Sequence, residues 1–205
     1  PDGRIPPRTP EGRQRAAARR ELRGYDSYAN RPLQERCLVW GHEGPPMVPP
    51  PYNDIYQIFQ TPGYVVLFPE LANNPARIIP TNGQAHLPER VRQWSGDSIG
   101  RWHGDTLVVD TTNFVARPAL RPASENLHVV ERFRRIDENN LHYSFTVEAP
   151  TIWTEPSVTR LHCRTAPDIW WSSADGTRQE MRLKLSQWQM SVSTWRPLSI
   201  QFLFR

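Results

Sequence analysis

The stretch Glu125-Asn126-Leu127-His128-Val129-Val130-Glu131 brings one imidazole and two carboxylates close together in sequence. Such a set can hold a metal or work as an acid–base pair, because imidazole offers a lone pair and exchanges its proton near neutral pH. The surrounding valines mark a β-strand, in which neighbouring side chains alternate between faces. His128 and Glu131 then face opposite sides, and they converge only across a bulge. Glu131 on an inner face would either pair with an arginine or anchor the polar group of a ligand. Asp110 closes the apolar run Leu107-Val108-Val109 and shares a face with Thr106 and Val108. If that face is also covered, Asp110 is a buried acid whose pKa suits general acid or base work; the alternative is an Asx-type bond to the following loop. The candidate catalytic residues are therefore Asp110, His128 and Glu131.

His103-Gly104-Asp105 sits where two strand patterns meet. Glycine accepts positive φ and aspartate bonds the turn backbone, so the trio reads as a hairpin connection. Aromatic and basic residues around the strands, Trp94, Arg101, Trp102 and Tyr143, are the candidates for lining a ligand pocket. There is no phosphate-cradling glycine loop, nucleophile elbow, HExxH pair or calcium loop. Cys37 and Cys163 show no zinc spacing and fit either one long-range disulfide or two buried thiols. No metal and no cofactor are expected.

The elements that would position these residues are short. Strand patterns run over 54–60, 64–68, 76–79, 98–102, 106–112, 127–136 and 141–148, with turns such as Pro62-Gly63 and Asn82-Gly83 between them. Leu141-His142-Tyr143-Ser144-Phe145-Thr146-Val147-Glu148 alternates cleanly. Aligning apolar residues with the preceding strand sets Phe133 opposite Tyr143 and Val129 opposite Val147, with an odd-length loop between; Glu131 then lies on the inner face opposite Phe145. Such spacing, without helical patterns between strands, predicts a mainly β fold, an antiparallel meander that closes as a barrel or packs as a sandwich. Ahead of it, Thr9-Pro10-Glu11 opens a helix that Gly24 would stop. The stretch 44–51, with five prolines, predicts a polyproline II strap. This divides the chain into an N-terminal helix and strap (1–51), a β domain (52–175) and a C-terminal tail (176–205), where Ile200, Phe202 and Phe204 suggest one more strand.

A chain of 205 residues can bury one sizeable core, and 21 prolines argue against a long helical bundle. The net charge of +4 resides entirely in residues 1–36, which hold nine arginines against five acids. Those arginines surround the helix rather than forming a stripe, and no nucleic-acid module accompanies them, so nucleic acid is not an expected partner. No apolar run is long enough for a helical membrane span.

Several blocks together resemble a large family of exported bacterial proteins without an assigned function: PDGRIPPRTPEG, RPLQERC, QIFQTPGYVVLF, RIIPTNGQAH, RWHGDTLVVDTTNF and SENLHVVERFRRID. The resemblance covers residues 1 to about 156. It implies a lipocalin-like barrel, or a partly open one, in a periplasmic or secreted protein; the family's secretion signal and first strand would precede this fragment. The family usually has glutamate at the position of His103, which weakens a catalytic role there. Beyond Pro156 the tail departs from the family ending, so Cys163 is not assumed to replace the family partner of Cys37. The combined expectation is an exported protein that binds a small, partly apolar molecule, with Glu131 and Asp110 as polar anchors. Its alternative is a lyase, isomerase or hydrolase on the same scaffold, with Asp110 or Glu131 as base and His128 as partner. A third reading is an interaction module acting through the arginine helix and proline strap.

Overall fold

A computed structural model describes residues 5–21, 27–28, 31–39, 44–48, 55–69, 75–116, 120, 123–137, 139–165, 170–172, 178–180 and 198–204. Among the described residues the fold is mainly β and antiparallel, with one short helix. The helix α1 spans Pro10–Glu21. It begins as Thr9 predicts: the Thr9 Oγ1 accepts the Gly12 N–H at 3.0 Å, and Pro10 occupies the first helical position, where no N–H is needed. Its N-terminus docks on the turn after β7, where Thr9 N–H reaches the Ile152 carbonyl at 2.9 Å. Gly24 lies outside the described residues.

β1 (Ile55–Thr61), β2 (Tyr64–Pro69) and β3 (Arg77–Pro80) form one meander. β4 (Asp97–His103), β5 (Thr106–Thr112), β6 (His128–Arg135), β7 (Asn140–Glu148) and β8 (Ser157–Thr165) form a second. A short ribbon of β9 (Trp170–Ser172) and β10 (Arg178–Glu180) follows, then β11 (Leu198–Phe204). The tail strand pairs with β1 on one side and β8 on the other, so the order is β3-β2-β1-β11-β8-β7-β6-β5-β4. β3 and β4 are not paired, and the sheet stays open rather than closing as a barrel.

The register of the β6–β7 hairpin is the one the apolar alignment predicts. Phe133 lies opposite Tyr143, Val129 opposite Val147 and Glu131 opposite Phe145. Ile136 N–H bonds the Asn140 carbonyl, leaving the three-residue loop 137–139. Asp137 holds that loop by accepting from the Asn139 N–H and the Asn140 side chain, each at 2.8 Å.

Inward side chains of both meanders build a single core that includes Tyr56, Val65, Leu67, Ile79, Leu107, Val109, Val129, Phe133 and Tyr143. Met47, from the proline segment, belongs to the same core. The peptide bonds before Pro45 and Pro46 are cis, and residues 49–51 of the expected polyproline strap lie outside the described residues. Cys37 is an exposed free thiol rather than a buried one. Among the described residues no helix is long and apolar enough to cross a membrane.

Candidate functional site

Two polar networks occupy the two faces of β5 and β6. The inner one centres on Glu131, which is completely buried. Tyr143 Oη donates to its Oε1 at 2.7 Å, and Arg77 Nη2 bonds its Oε2. The Tyr143 hydroxyl in turn accepts the Met47 N–H at 2.9 Å. Burial, together with the neighbouring Glu131 charge, pushes the Tyr143 phenol well above its ordinary value of 10.0, so it stays a neutral donor. Arg77 also donates from Nε to Ser98 Oγ and from Nη2 to Thr111 Oγ1, each at 3.0 Å, and those two hydroxyls lie 2.9 Å apart. This guanidinium reaches from β3 to β4, β5 and β6, joining the two unpaired edges of the sheet through side chains. Its Nη1 is buried and has no hydrogen-bond partner among the described residues. Beside Arg77 a small cleft is lined by Gly44, Tyr56, Leu67, Pro69, Pro75 and Ser95.

The outer network is a chain of alternating acids and imidazoles. His86, in the connection from β3 to β4, places Nδ1 2.8 Å from Asp97 Oδ2 and Nε2 3.0 Å from Asp110 Oδ1. Asp110 Oδ2 lies 3.1 Å from His128 Nε2, and His128 Nδ1 lies 3.2 Å from Glu148 Oε2. Asp97 also accepts the Leu87 N–H at 2.9 Å. The His128 imidazole is raised from 6.5 to about 9, first by its hydrogen bond to Asp110 and then, against some desolvation, by Glu148. Asp110 is correspondingly lowered from 3.8, with the His128 bond as the main cause and burial opposing it. The Asp110 side chain is 40% exposed, so it is a surface carboxylate held by two histidines rather than a buried acid. Among the described residues no three of these groups are placed to hold a metal ion.

The sequence candidates thus separate. Asp110 and His128 meet, but Glu131 faces the other way, since Val109 pairs with Glu131 and Asp110 with Val130. Tyr143 joins Glu131 in the core. Arg101 and Trp102 are exposed towards the end of β4, and Trp94 is half-buried just before Ser95; none of the three lines the cleft. Among the described residues Glu125 contributes only its carbonyl, to Arg92 Nη1 at 3.1 Å. His103 is exposed beside a two-residue turn in which Gly104 has φ of 61°. That is the hairpin geometry expected of His103-Gly104-Asp105, and Asp105 holds Arg134 of β6 at 3.0 Å.

Sequence reasoning missed Arg77, His86, Asp97 and Glu148. Two of them had a signal. Once Val129 is set opposite Val147, His128 stands opposite Glu148; and Arg77 shares a strand face with the core residue Ile79. His86 and Asp97 flank an irregular connection whose path no periodicity encodes. No protein-family model, curated protein or solved structure matches this chain.

Proposed function

We propose that this is an exported, β-rich protein that binds a small, partly apolar molecule, with the cleft beside Arg77 as the site. Export rests on the motif resemblance described above. The observation that carries the binding reading is a charged side chain, only 10% exposed, that keeps one nitrogen without a partner among the described residues, at the edge of a small cleft of mixed polar and apolar lining. A buried donor without an acceptor costs about 1–3 kcal/mol, which a bound oxygen would offset. In this reading Glu131 is not itself the ligand's anchor. Both of its oxygens are engaged, and its role is to hold the Arg77 guanidinium in place.

The geometry lends less support to an acid–base enzyme. Both ring nitrogens of His128 and of His86 lie against carboxylates, which leaves neither a free lone pair for a substrate proton. The test is a screen of neutral, anionic and cationic fragments against the 15N-labelled protein. Saturable shifts confined to the amides of Gly44, Leu67 and Ser95, abolished by Ser95→Phe, would support the reading. Fragments that leave those amides unmoved at millimolar concentration would overturn it.

A further inference from the structure

The turn Asn82-Gly83, in the connection from β3 to β4, is set up for a reaction that neither polar network uses. Asparagine is chemically labile because the main-chain nitrogen of the following residue can attack its side-chain amide and close a five-membered imide. Folded chains usually prevent this in three ways. A side chain on the following residue crowds the ring, that residue's N–H is committed to a hydrogen bond, or the amide carbonyl has no donor to hold the charge it gains. At Asn82 none of these protections operates. Gly83 brings no side chain, and the space where a Cβ would stand is open, with no atom within 4 Å. Its N–H makes no hydrogen bond among the described residues. The Gln84 N–H donates to Asn82 Oδ1 at 3.2 Å, an Asx-type bond that puts a donor on the oxygen where negative charge develops during attack. Asn82 and Gly83 are both exposed, so solvent base and water reach them.

Other described asparagines lack this combination. Asn113 is buried, donates from Nδ2 to the Leu87 carbonyl at 2.8 Å, and is followed by Phe114. Asn126 precedes Leu127, whose N–H is committed to the Ser124 carbonyl at 3.0 Å. Asn140 donates from Nδ2 to Asp137 at 2.8 Å and is followed by the buried Leu141.

We propose that Asn82 is a site of spontaneous deamidation, and that the fold tolerates the product. The Gly83 nitrogen gives its proton to solvent base and bonds to Asn82 Cγ; the Cγ–Nδ2 bond breaks, and ammonia leaves with a proton taken from water. Water then opens the imide. Addition at Cγ gives aspartate, and addition at the main-chain carbonyl carbon gives isoaspartate, in which the chain runs through the side-chain carbon. The balance is one water in and one ammonia out, with no oxidant or cofactor. Residues 82–85 are exposed, and the connection is pinned on both sides of them. Thr81 N–H holds the Gly63 carbonyl at 2.8 Å, while His86 Nδ1 and Leu87 N–H hold Asp97 at 2.8 and 2.9 Å. The product therefore keeps its structure and gains a negative charge on the connection that carries His86.

The full chain and a synthetic peptide of residues 79–87 are incubated side by side at pH 8. Conversion is read by ion exchange and by the mass of the fragment spanning Asn82, and hydroxylamine traps the imide by cutting the chain between Asn82 and Gly83. Asn82 is expected to convert in the folded protein at a rate within about tenfold of the peptide, a barrier difference of no more than about 1.4 kcal/mol. Asn113 and Asn126 should stay intact over the same period, and the converted fraction should keep the hydrogen-exchange protection of the Leu87 amide. Gly83→Ala should slow conversion by at least about tenfold. Asn82→Gln, which would need a six-membered ring, should remove the hydroxylamine cut. Slower conversion than that limit in the folded protein, or conversion spread evenly over the asparagines, would overturn the site; loss of Leu87 protection in the converted fraction would overturn the tolerance.

Discussion

The outer acid–imidazole chain should make stability depend on pH in a defined direction. His128 is raised from 6.5 to about 9 by Asp110 and Glu148, so folding favours its protonated form. The stabilisation is complete below pH 6.5, where folded and unfolded chains both carry the proton, and it is lost as pH rises through about 9. At about 1.4 kcal/mol for each tenfold change in proton affinity, the full effect would be roughly 3 kcal/mol. The His128 side chain is 33% exposed and its acids more so, and solvent and salt screen such pairs. About 1–2 kcal/mol is the realistic figure. The lowered Asp110 is the same interaction seen from its other partner and is counted once; it sets the acid limit, since its contribution is present above pH 3.8 and lost as pH falls through its lower folded value. Urea unfolding of wild type and His128→Gln from pH 5 to 10 should show a gap of about 1–2 kcal/mol near pH 6 that closes towards pH 10. A gap that stays constant or widens above pH 6.5, or an NMR titration of the imidazole centred near 6.5, would refute the reasoning.

Arg77→Met strands Glu131 as an unpaired buried charge and should cost about 3–5 kcal/mol in urea unfolding, whereas adding Glu131→Gln should recover part of the loss. Gly96 has φ of 69°, and a Cβ there would sit 2.6 Å from the Thr112 carbonyl and 2.9 Å from the Phe114 ring, so Gly96→Ala should lower the melting temperature sharply. Gly104→Ala, with φ of 61° and open space around it, should cost only the local strain of about 1–2 kcal/mol. Met47→Ala should destabilise by about 2–5 kcal/mol if the proline segment is part of the β core, a result that thermal unfolding reads directly.

The strands were legible because apolar residues recur at every second position. The inner position of Glu131 was legible because aligning Phe133 with Tyr143 leaves it no other face. Its partner was not, since Arg77 lies 54 residues earlier and meets Glu131 across the sheet's open seam, a contact set by curvature rather than periodicity. The expectation for Asp110 missed for a related reason: its outer face is only partly covered, by a connection carrying His86, and nothing in that connection's sequence shows how far it reaches. β8 lay in the region where the family resemblance ends. The tail strand was suggested by its alternating apolar residues, but its place between β1 and β8 depends on partners distant in sequence.

The two networks also explain why β6 has one acceptable register. Glu131 and His128 belong to opposite faces of one strand, and each has partners only on its own side. Sliding β6 by one residue against β5 and β7 would turn His128, Val130 and Arg132 inward and send Glu131 to the surface. Arg77 would then be a buried cation without its counter-charge, and two basic residues would enter the core in place of Val129 and Phe133. Neither error can be relieved locally, because Arg77 is also held by Ser98 and Thr111 on the neighbouring strands. The buried Arg77–Glu131 pair adds little to stability over an apolar substitute of equal volume, yet it makes the slipped sheet costly. On this argument the charge-neutral double variant should remain folded but tolerate register heterogeneity, visible as doubled amide signals along β6. A single sharp set of signals in that variant would show that apolar alignment alone sets the register.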